Sequence, residues 1–121
     1  MKKLKIILFY ILFICTPFIV STNSFGASVG FTGKVGTVEV RPSAWGSILI
    51  ITILNSSGVK IKLCDAASDP YALALSLNDT AANNIQALAI SAKMYGVSVT
   101  GTGIDQTFNG LWCGIGNFAI P

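Results

Sequence analysis

Few side chains in this sequence could act as catalysts. There is no histidine, which is the commonest general base in enzymes. The acidic residues are Glu39, Asp65, Asp69, Asp79 and Asp105. Only Asp65 and Asp69 stand close together, in a loop that ends at Pro70, and turn formation explains this pair better than the fixed carboxylates of a glycosidase do. We therefore expect no catalytic residues and no enzymatic activity.

Metal and cofactor binding are also poorly supported by the pattern. The loop that holds Asp65 and Asp69 lacks the alternating oxygen ligands of calcium-binding loops. The Gly-x-Gly sequences that begin at Gly101 and Gly114 are not phosphate-binding loops, because no Gly-Lys-Ser/Thr follows them and no helix starts there. We interpret both as strand curvature or turns, and we expect no metal and no cofactor.

Residues 1–26 have the pattern of a secretory signal peptide. Three lysines within the first five residues precede an apolar run of 15 residues at 6–20, and small or polar residues follow. That run is short for a membrane span. We predict cleavage after Gly26, or after Ala27, and export to the bacterial periplasm or the medium. One domain, 27–121, then remains, and it has no membrane span.

Removal of the signal changes the charge of the protein. The whole chain carries a net charge of +3, but three of its eight basic residues lie in 1–26 and all five acidic residues lie beyond it. The mature domain is therefore neutral, and the sequence gives no support for a basic surface that binds nucleic acid.

Cys64 and Cys113 are the only cysteines beyond the signal. An even number of cysteines in an exported domain predicts a disulfide, with a free buried pair as the alternative. The bond would close a loop of about 50 residues, which is worth about 4 kcal/mol in the chain-entropy model. A domain this small gains a large share of its stability from such a bond.

Short β-branched runs and one helix make up the rest of the domain. We predict strands at 29–41, 47–54, 59–64, 71–76, 97–102 and 114–120, and a helix at 79–95. The run at 47–54 should be a central strand buried on both sides, and 103–109 a polar loop. A single late helix among about five strands predicts a mainly β, OB-fold-like five-stranded barrel, with an open antiparallel α+β sheet as the alternative.

The predicted helix has two apolar faces. Asn78 or Asp79 should cap its start, and Gly96 should end it. One face suits packing on a sheet and consists of Ala81, Ile85, Leu88, Ala89, Ala92 and Tyr95. The second face is a narrower stripe of Ala87, Ile90 and Met94. Either a loop or edge strand of the same chain covers this stripe, or another copy of the chain does, which makes these residues candidates for an oligomer interface.

Aromatic and hydroxyl side chains could bind sugars. Flat aromatic faces stack on sugar rings, and hydroxyl and amide groups bond to sugar hydroxyls. The residues of these types are Trp45, Tyr71, Phe108 and Trp112, with Thr32, Thr107 and Asn109. Trp45 and Phe108 lie in predicted loops, which favours a binding role, although a domain this small can also bury its aromatic residues.

Three segments together resemble a known family. The residues FTGKV at 31–35 open the first strand, KMYG at 93–96 ends the helix, and VSVT at 97–100 follows at once. They are similar to segments in the B subunit of subtilase cytotoxin, in its pertussis-like relatives and in small exported bacterial proteins with the same layout. The position of the family's glycan-contacting serine corresponds to Thr32, and Ser98 stands where the family has proline.

The resemblance implies an OB-fold subunit in a ring of five, with helices near the central axis. It also implies binding of sialylated glycans at the cell surface and a catalytic A subunit as partner. We therefore predict an exported, non-catalytic binding subunit of the toxin B-subunit type. Its candidate glycan-binding residues are Thr32, Trp45, Phe108 and Asn109. The alternative is a monomeric secreted or periplasmic protein with a structural or inhibitory role and no sugar binding.

Overall fold

A computed structural model describes residues 28–42, 46–108 and 110–121, without the side chains of 106–108. The predicted signal peptide, 1–26, lies outside the described residues. So do two candidate glycan-binding residues, Trp45 and Asn109, and only the backbone of Phe108 is described.

Five strands and one helix form the described domain. In chain order they are β1 (Ser28–Arg41), β2 (Ile48–Leu54), β3 (Asp69–Ser76), α1 (Ala82–Tyr95), β4 (Ser98–Phe108) and β5 (Trp112–Ala119). The strands coincide with the β-branched and alternating runs of the sequence. This is expected because β-branched side chains pack well on a pleated sheet. Within the described residues, no helix is both long enough and apolar enough to cross a membrane.

The strands close into a barrel in the order β1-β2-β3-β5-β4, with β4 returning to β1. All neighbours are antiparallel except β3 and β5, which are parallel. Strand β1 closes the barrel because residues 28–34 pair with β4 and residues 34–41 pair with β2. The β1–β2 pairing contains a register shift between Val35 and Val38. The predicted OB-fold-like barrel is confirmed, and the open sheet is excluded.

The barrel interior holds the main core. Leu49, Ile51 and Ile53 of β2 point inward and are fully buried. The other large residues buried with them include Phe31, Val35, Leu63, Leu73, Val99 and Phe118. A second buried cluster consists of Ile48, Ile50, Ala72, Ala74 and Trp112. Since successive residues of β2 belong to different clusters, the prediction of a strand buried on both faces is confirmed.

Helix α1 begins three residues later than predicted. The carboxylate of Asp79 accepts a hydrogen bond from the N–H of Ala81 at 2.9 Å, so it stabilises the turn before the helix, while Ala81 itself stands at the N-cap without a side-chain cap. The end is as predicted: Gly96 adopts a left-handed conformation with φ of 65°. Its N–H and that of Val97 point back to carbonyl groups of the last turn.

The face of α1 that packs on the barrel is narrower than predicted. Ala82, Ala89 and Ala92 are buried, and Ile85 and Leu88 pack against the core. Two residues of the predicted packing face are instead exposed, namely Ala81, which precedes the helix, and Tyr95, which is 79% exposed. Tyr95 is exposed because it is the last residue of the helix. It also lies about 60° around the axis from Ala92, at the border of the buried face.

The second stripe of α1 lies at the surface. Ala87 is exposed, Ile90 is 41% exposed and Met94 is 76% exposed. The expectation that a loop or edge strand of the same chain covers this stripe is therefore wrong for the described part of the chain.

The predicted strand at 59–64 is also wrong. Only Lys60 makes a bridge, to Leu54. The N–H of Ile61 still bonds to the carbonyl of Ile53 at 3.0 Å, but Leu63 and Cys64 leave the strand and are both fully buried. The N–H of Leu63 bonds instead to the carbonyl of Pro70 at 2.7 Å.

The predicted loop at 103–109 is largely strand. Strand β4 continues to Phe108 and pairs with β5 along its second half. Gly103 lies within this strand because there is no room for a side chain: a β-carbon there would overlap the carbonyl oxygen of Leu63. The glycine therefore permits close contact between two backbones.

Candidate functional site

The two cysteines form a structural bond. Cys64 and Cys113 are joined in a disulfide with their Cα atoms 5.7 Å apart, and both are fully buried. The bond connects the irregular segment before β3 to the start of β5. It confirms the predicted pairing and excludes the free pair, so neither sulfur is a nucleophile in this state.

The carboxylates near the loop at 65–69 have structural partners. Asp69 accepts a hydrogen bond from the N–H of Tyr71 at 3.2 Å, as a turn-forming aspartate does. Asp65 pairs with Lys62 at 3.3 Å. Asp105, whose role the sequence did not reveal, accepts the N–H groups of Asp65 and Ala66 at 2.7 and 3.1 Å. Across the described residues, His, Cys, Asp and Glu form no group of three or more that could hold a metal ion.

Thr32 is the one candidate glycan-binding residue whose side chain is described. It is exposed on β1 and lines a depression with a volume of about 640 Å³. The side chains around it include those of Lys34, Leu54, Asn55, Ser56 and Ser98. Trp45 and Asn109 lie outside the described residues, and the side chain of Phe108 is not described, so Thr32 is joined by residues that were not predicted for the site.

Strand pairing builds the floor of this depression. Lys34 stands opposite Leu54 of β2 on one side and opposite Ser98 of β4 on the other. The strands come unusually close at Gly33, where a β-carbon would overlap the carbonyl oxygen of Leu54. A glycine at this position is therefore required by the close pairing of β1 and β2.

A tight turn after β2 builds the wall. The side-chain oxygen of Asn55 accepts the N–H groups of Ser57 and Val59 at 2.9 and 3.0 Å. The backbone carbonyl of the same residue accepts the N–H of Gly58 at 3.0 Å, and Gly58 has φ of 77°. These bonds fix Ser56 at the rim. The Asn-Ser-Ser-Gly sequence signalled the turn, but only the strand register places it beside Thr32.

Hydrogen bonding gives the Thr32 hydroxyl a direction. The hydroxyl of Thr100 donates to the carbonyl of Phe31 at 3.1 Å and lies 3.3 Å from the hydroxyl of Thr32. Because a threonine has one hydroxyl hydrogen, Thr32 must be the donor when these two hydroxyls bond. The lone pairs of the Thr32 oxygen then remain directed to accept a hydrogen bond from a ligand.

Two other aromatic residues from the sequence differ in accessibility. Trp112 is only 8% exposed, and the guanidinium of Arg41 lies 5.6 Å from its ring centre, so it offers no free stacking face. Arg41 also donates to Glu39 at 2.7 Å, and this hydrogen bond raises the pKa of the guanidinium above its usual value. Tyr71 is 43% exposed on β3.

Comparison with known proteins found no relative of this chain. No protein-family model, no curated protein and no solved structure matches the chain.

Proposed function

We propose that this protein is a non-catalytic binding subunit that recognises glycans at a cell surface through the depression around Thr32. The observation that carries the proposal is the position of Thr32, which corresponds to the glycan-contacting serine of the toxin B subunits that the sequence resembles. It lies in a depression together with further hydroxyl and amide groups. Such groups bond to the hydroxyls of a sugar.

The size and chemistry of the depression support this proposal. Its volume of about 640 Å³ falls within the range of small-molecule sites, roughly 300–1,000 Å³. Leu54 offers an apolar surface for the carbon face of a sugar ring, while Thr32, Asn55 and Ser98 surround it with polar groups. The Thr32 oxygen accepts a hydrogen bond from a sugar hydroxyl, for the reason given above.

We propose that the subunit acts as an assembly of identical copies in contact through Ala87, Ile90 and Met94. Helix α1 contains no acidic residue and one basic residue, Lys93, whose ammonium bonds to the carbonyl of Gly36 at 2.5 Å. Two such helices meet without repulsion between like charges. Several copies raise the avidity for a surface that carries many glycans. The resemblance implies five copies and a catalytic partner subunit.

Glycan-array binding by the native protein and by Thr32→Ala tests the site. We expect the native protein to bind glycans and Thr32→Ala to bind about tenfold more weakly, because a lost hydrogen bond costs about 1–1.5 kcal/mol. Thr102→Ala is the matched control, since Thr102 lies on β4 outside the residues that line the depression. Equal binding by all three proteins would remove Thr32 from the site. Failure of the native protein to bind any glycan would favour the structural or inhibitory alternative.

A further inference from the structure

Two of the five basic residues in the described chain differ from the others in their contacts. Arg41 pairs with Glu39 and Lys62 pairs with Asp65. Lys93 bonds to a backbone carbonyl. Lys34 and Lys60 are exposed, and neither has an ion pair within the described part of the chain.

Strand register places these two lysines beside the depression. Lys34 stands opposite Leu54 in the β1–β2 pair, and Leu54 stands opposite Lys60 in a bridge. Side chains of directly opposed antiparallel residues share one face of the sheet and lie about 5 Å apart at their Cβ atoms. The two lysines therefore flank Leu54 on the same face, with their Cβ atoms about 10 Å apart.

The acidic residues are engaged elsewhere. None of the residues that line the depression is acidic. Glu39 and Asp65 belong to ion pairs, and the other three carboxylates, those of Asp69, Asp79 and Asp105, accept backbone N–H groups. The domain beyond the signal is neutral as a whole. The positive charge around Leu54 is therefore a local patch whose balancing acidic residues lie elsewhere in the domain.

We propose that the depression binds a polyanionic glycan, namely a sulfated polysaccharide, across Leu54. This inference rests on the proposed glycan recognition and names its ligand class. A chain with sulfates on successive sugars offers a separate anionic partner to each ammonium group, whereas a glycan with a single acidic group offers one partner to both. Leu54 lies against the sugar ring between them, and the hydroxyl of Thr32 and the side chains of Asn55 and Ser98 bond to its hydroxyls.

Calorimetric titration of the mature protein with dextran sulfate, neutral dextran and sialyllactose tests this ligand class. We expect dextran sulfate to bind most tightly and to lose affinity at higher salt, because salt screens exposed charges. Lys34→Gln and Lys60→Gln should each weaken this binding at least fivefold. Lys62→Gln is the matched control, because Lys62 already pairs with Asp65, and it should change the affinity by less than twofold.

The outcomes separate this inference from the proposed function. Equal affinity for dextran sulfate and neutral dextran, unchanged in both lysine variants, would overturn the polyanion inference and leave glycan recognition intact. An equal loss in Lys62→Gln would show attraction to charge without a site and would also overturn it. Binding to phosphatidylserine vesicles as tight as to dextran sulfate would assign the lysines to a membrane surface instead. Absence of binding to every glycan would overturn both proposals.

Discussion

Single glycines mark the places where backbones of this barrel come closest. A β-carbon at Gly103 would overlap the carbonyl oxygen of Leu63, and one at Gly101 would overlap that of Asn117. In contrast, a β-carbon at Gly30 of β1 would have no atom within 4 Å. Backbone atoms cannot swing aside as the end of a side chain can, so glycines of the same type in the sequence differ greatly in their importance for stability.

The substitution Gly103→Ala should destabilise the protein. We expect a loss of about 1–3 kcal/mol in the free energy of unfolding, because the new methyl group forces β4 and the segment at Leu63 apart. Denaturant unfolding at equilibrium measures the loss. Gly30→Ala, also in a strand, is the control and should stay within about 0.5 kcal/mol of the native protein. Equal effects of the two substitutions would contradict the close approach at Gly103.

Among whole elements, α1 combines a buried face with a surface stripe that has no cover in the described chain. The buried face is made of small alanines, which allow the helix to lie close to the barrel. In a monomer, the stripe of Ala87, Ile90 and Met94 would leave its apolar area exposed to water. The contact with another copy that we propose would remove that area from water.

The substitution Ile90→Asp tests this contact. If the stripe joins copies, Ile90→Asp should reduce the native mass to that of one chain, because a carboxylate would be buried without a partner. Since Ile90 is 41% exposed, the fold should persist, with an unchanged circular dichroism spectrum. Tyr71→Asp adds the same charge at an exposed position on β3, outside α1, and should leave the assembly intact. A single-chain mass for the native protein would contradict assembly.

Helices and strands could be predicted from the sequence where residues close together in the chain determine them. The stop at Gly96 and the run of β2 depend on residues adjacent in the chain. The segment at 59–64 alternates as a strand does, yet its last residues, Leu63 and Cys64, are held in the core by the disulfide and by a bond to the Pro70 carbonyl. The disulfide and this hydrogen bond join residues that are far apart in the sequence, so the local pattern of 59–64 does not predict them.

For the molecule as a whole, the barrel depends on contacts between distant residues and on one covalent bond. The disulfide joins residues 49 positions apart and ties the irregular segment at 61–68 to β5. The parallel pair of β3 and β5 has only two directly opposed residue pairs, Asp69 with Trp112 and Leu73 with Cys113. The bond therefore reinforces the part of the barrel where pairing between strands is sparsest.

Replacement of both cysteines by alanine should lower the free energy of unfolding by about 4 kcal/mol, because the loop of 49 residues is no longer closed in the unfolded chain. Denaturant unfolding of Cys64→Ala/Cys113→Ala measures this loss. Dithiothreitol without denaturant should leave the native bond intact for hours, since both sulfur atoms are buried. A loss below about 1 kcal/mol would show that the barrel does not depend on this bond.

The number of strands and the single late helix predicted the architecture, but they did not predict the depression around Thr32. Thr32 was a candidate from resemblance, and nothing in the sequence placed it beside Leu54, Asn55 and Ser98. That arrangement depends on the register of β1, which shifts by a bulge between Val35 and Val38. A shift of one residue would turn Lys34 to the other face. The depression is thus a property of the closed barrel.

The most direct test is a nuclear magnetic resonance titration of the ¹⁵N-labelled mature protein with a glycan that it binds on the array. Glycan recognition in the depression predicts shifts of the backbone amides of Thr32, Lys34, Ser56 and Ser98, while those of Arg41 and Trp112 stay unchanged. Shifts confined to the Arg41 and Trp112 side of the barrel, or no shifts with any glycan, would contradict it.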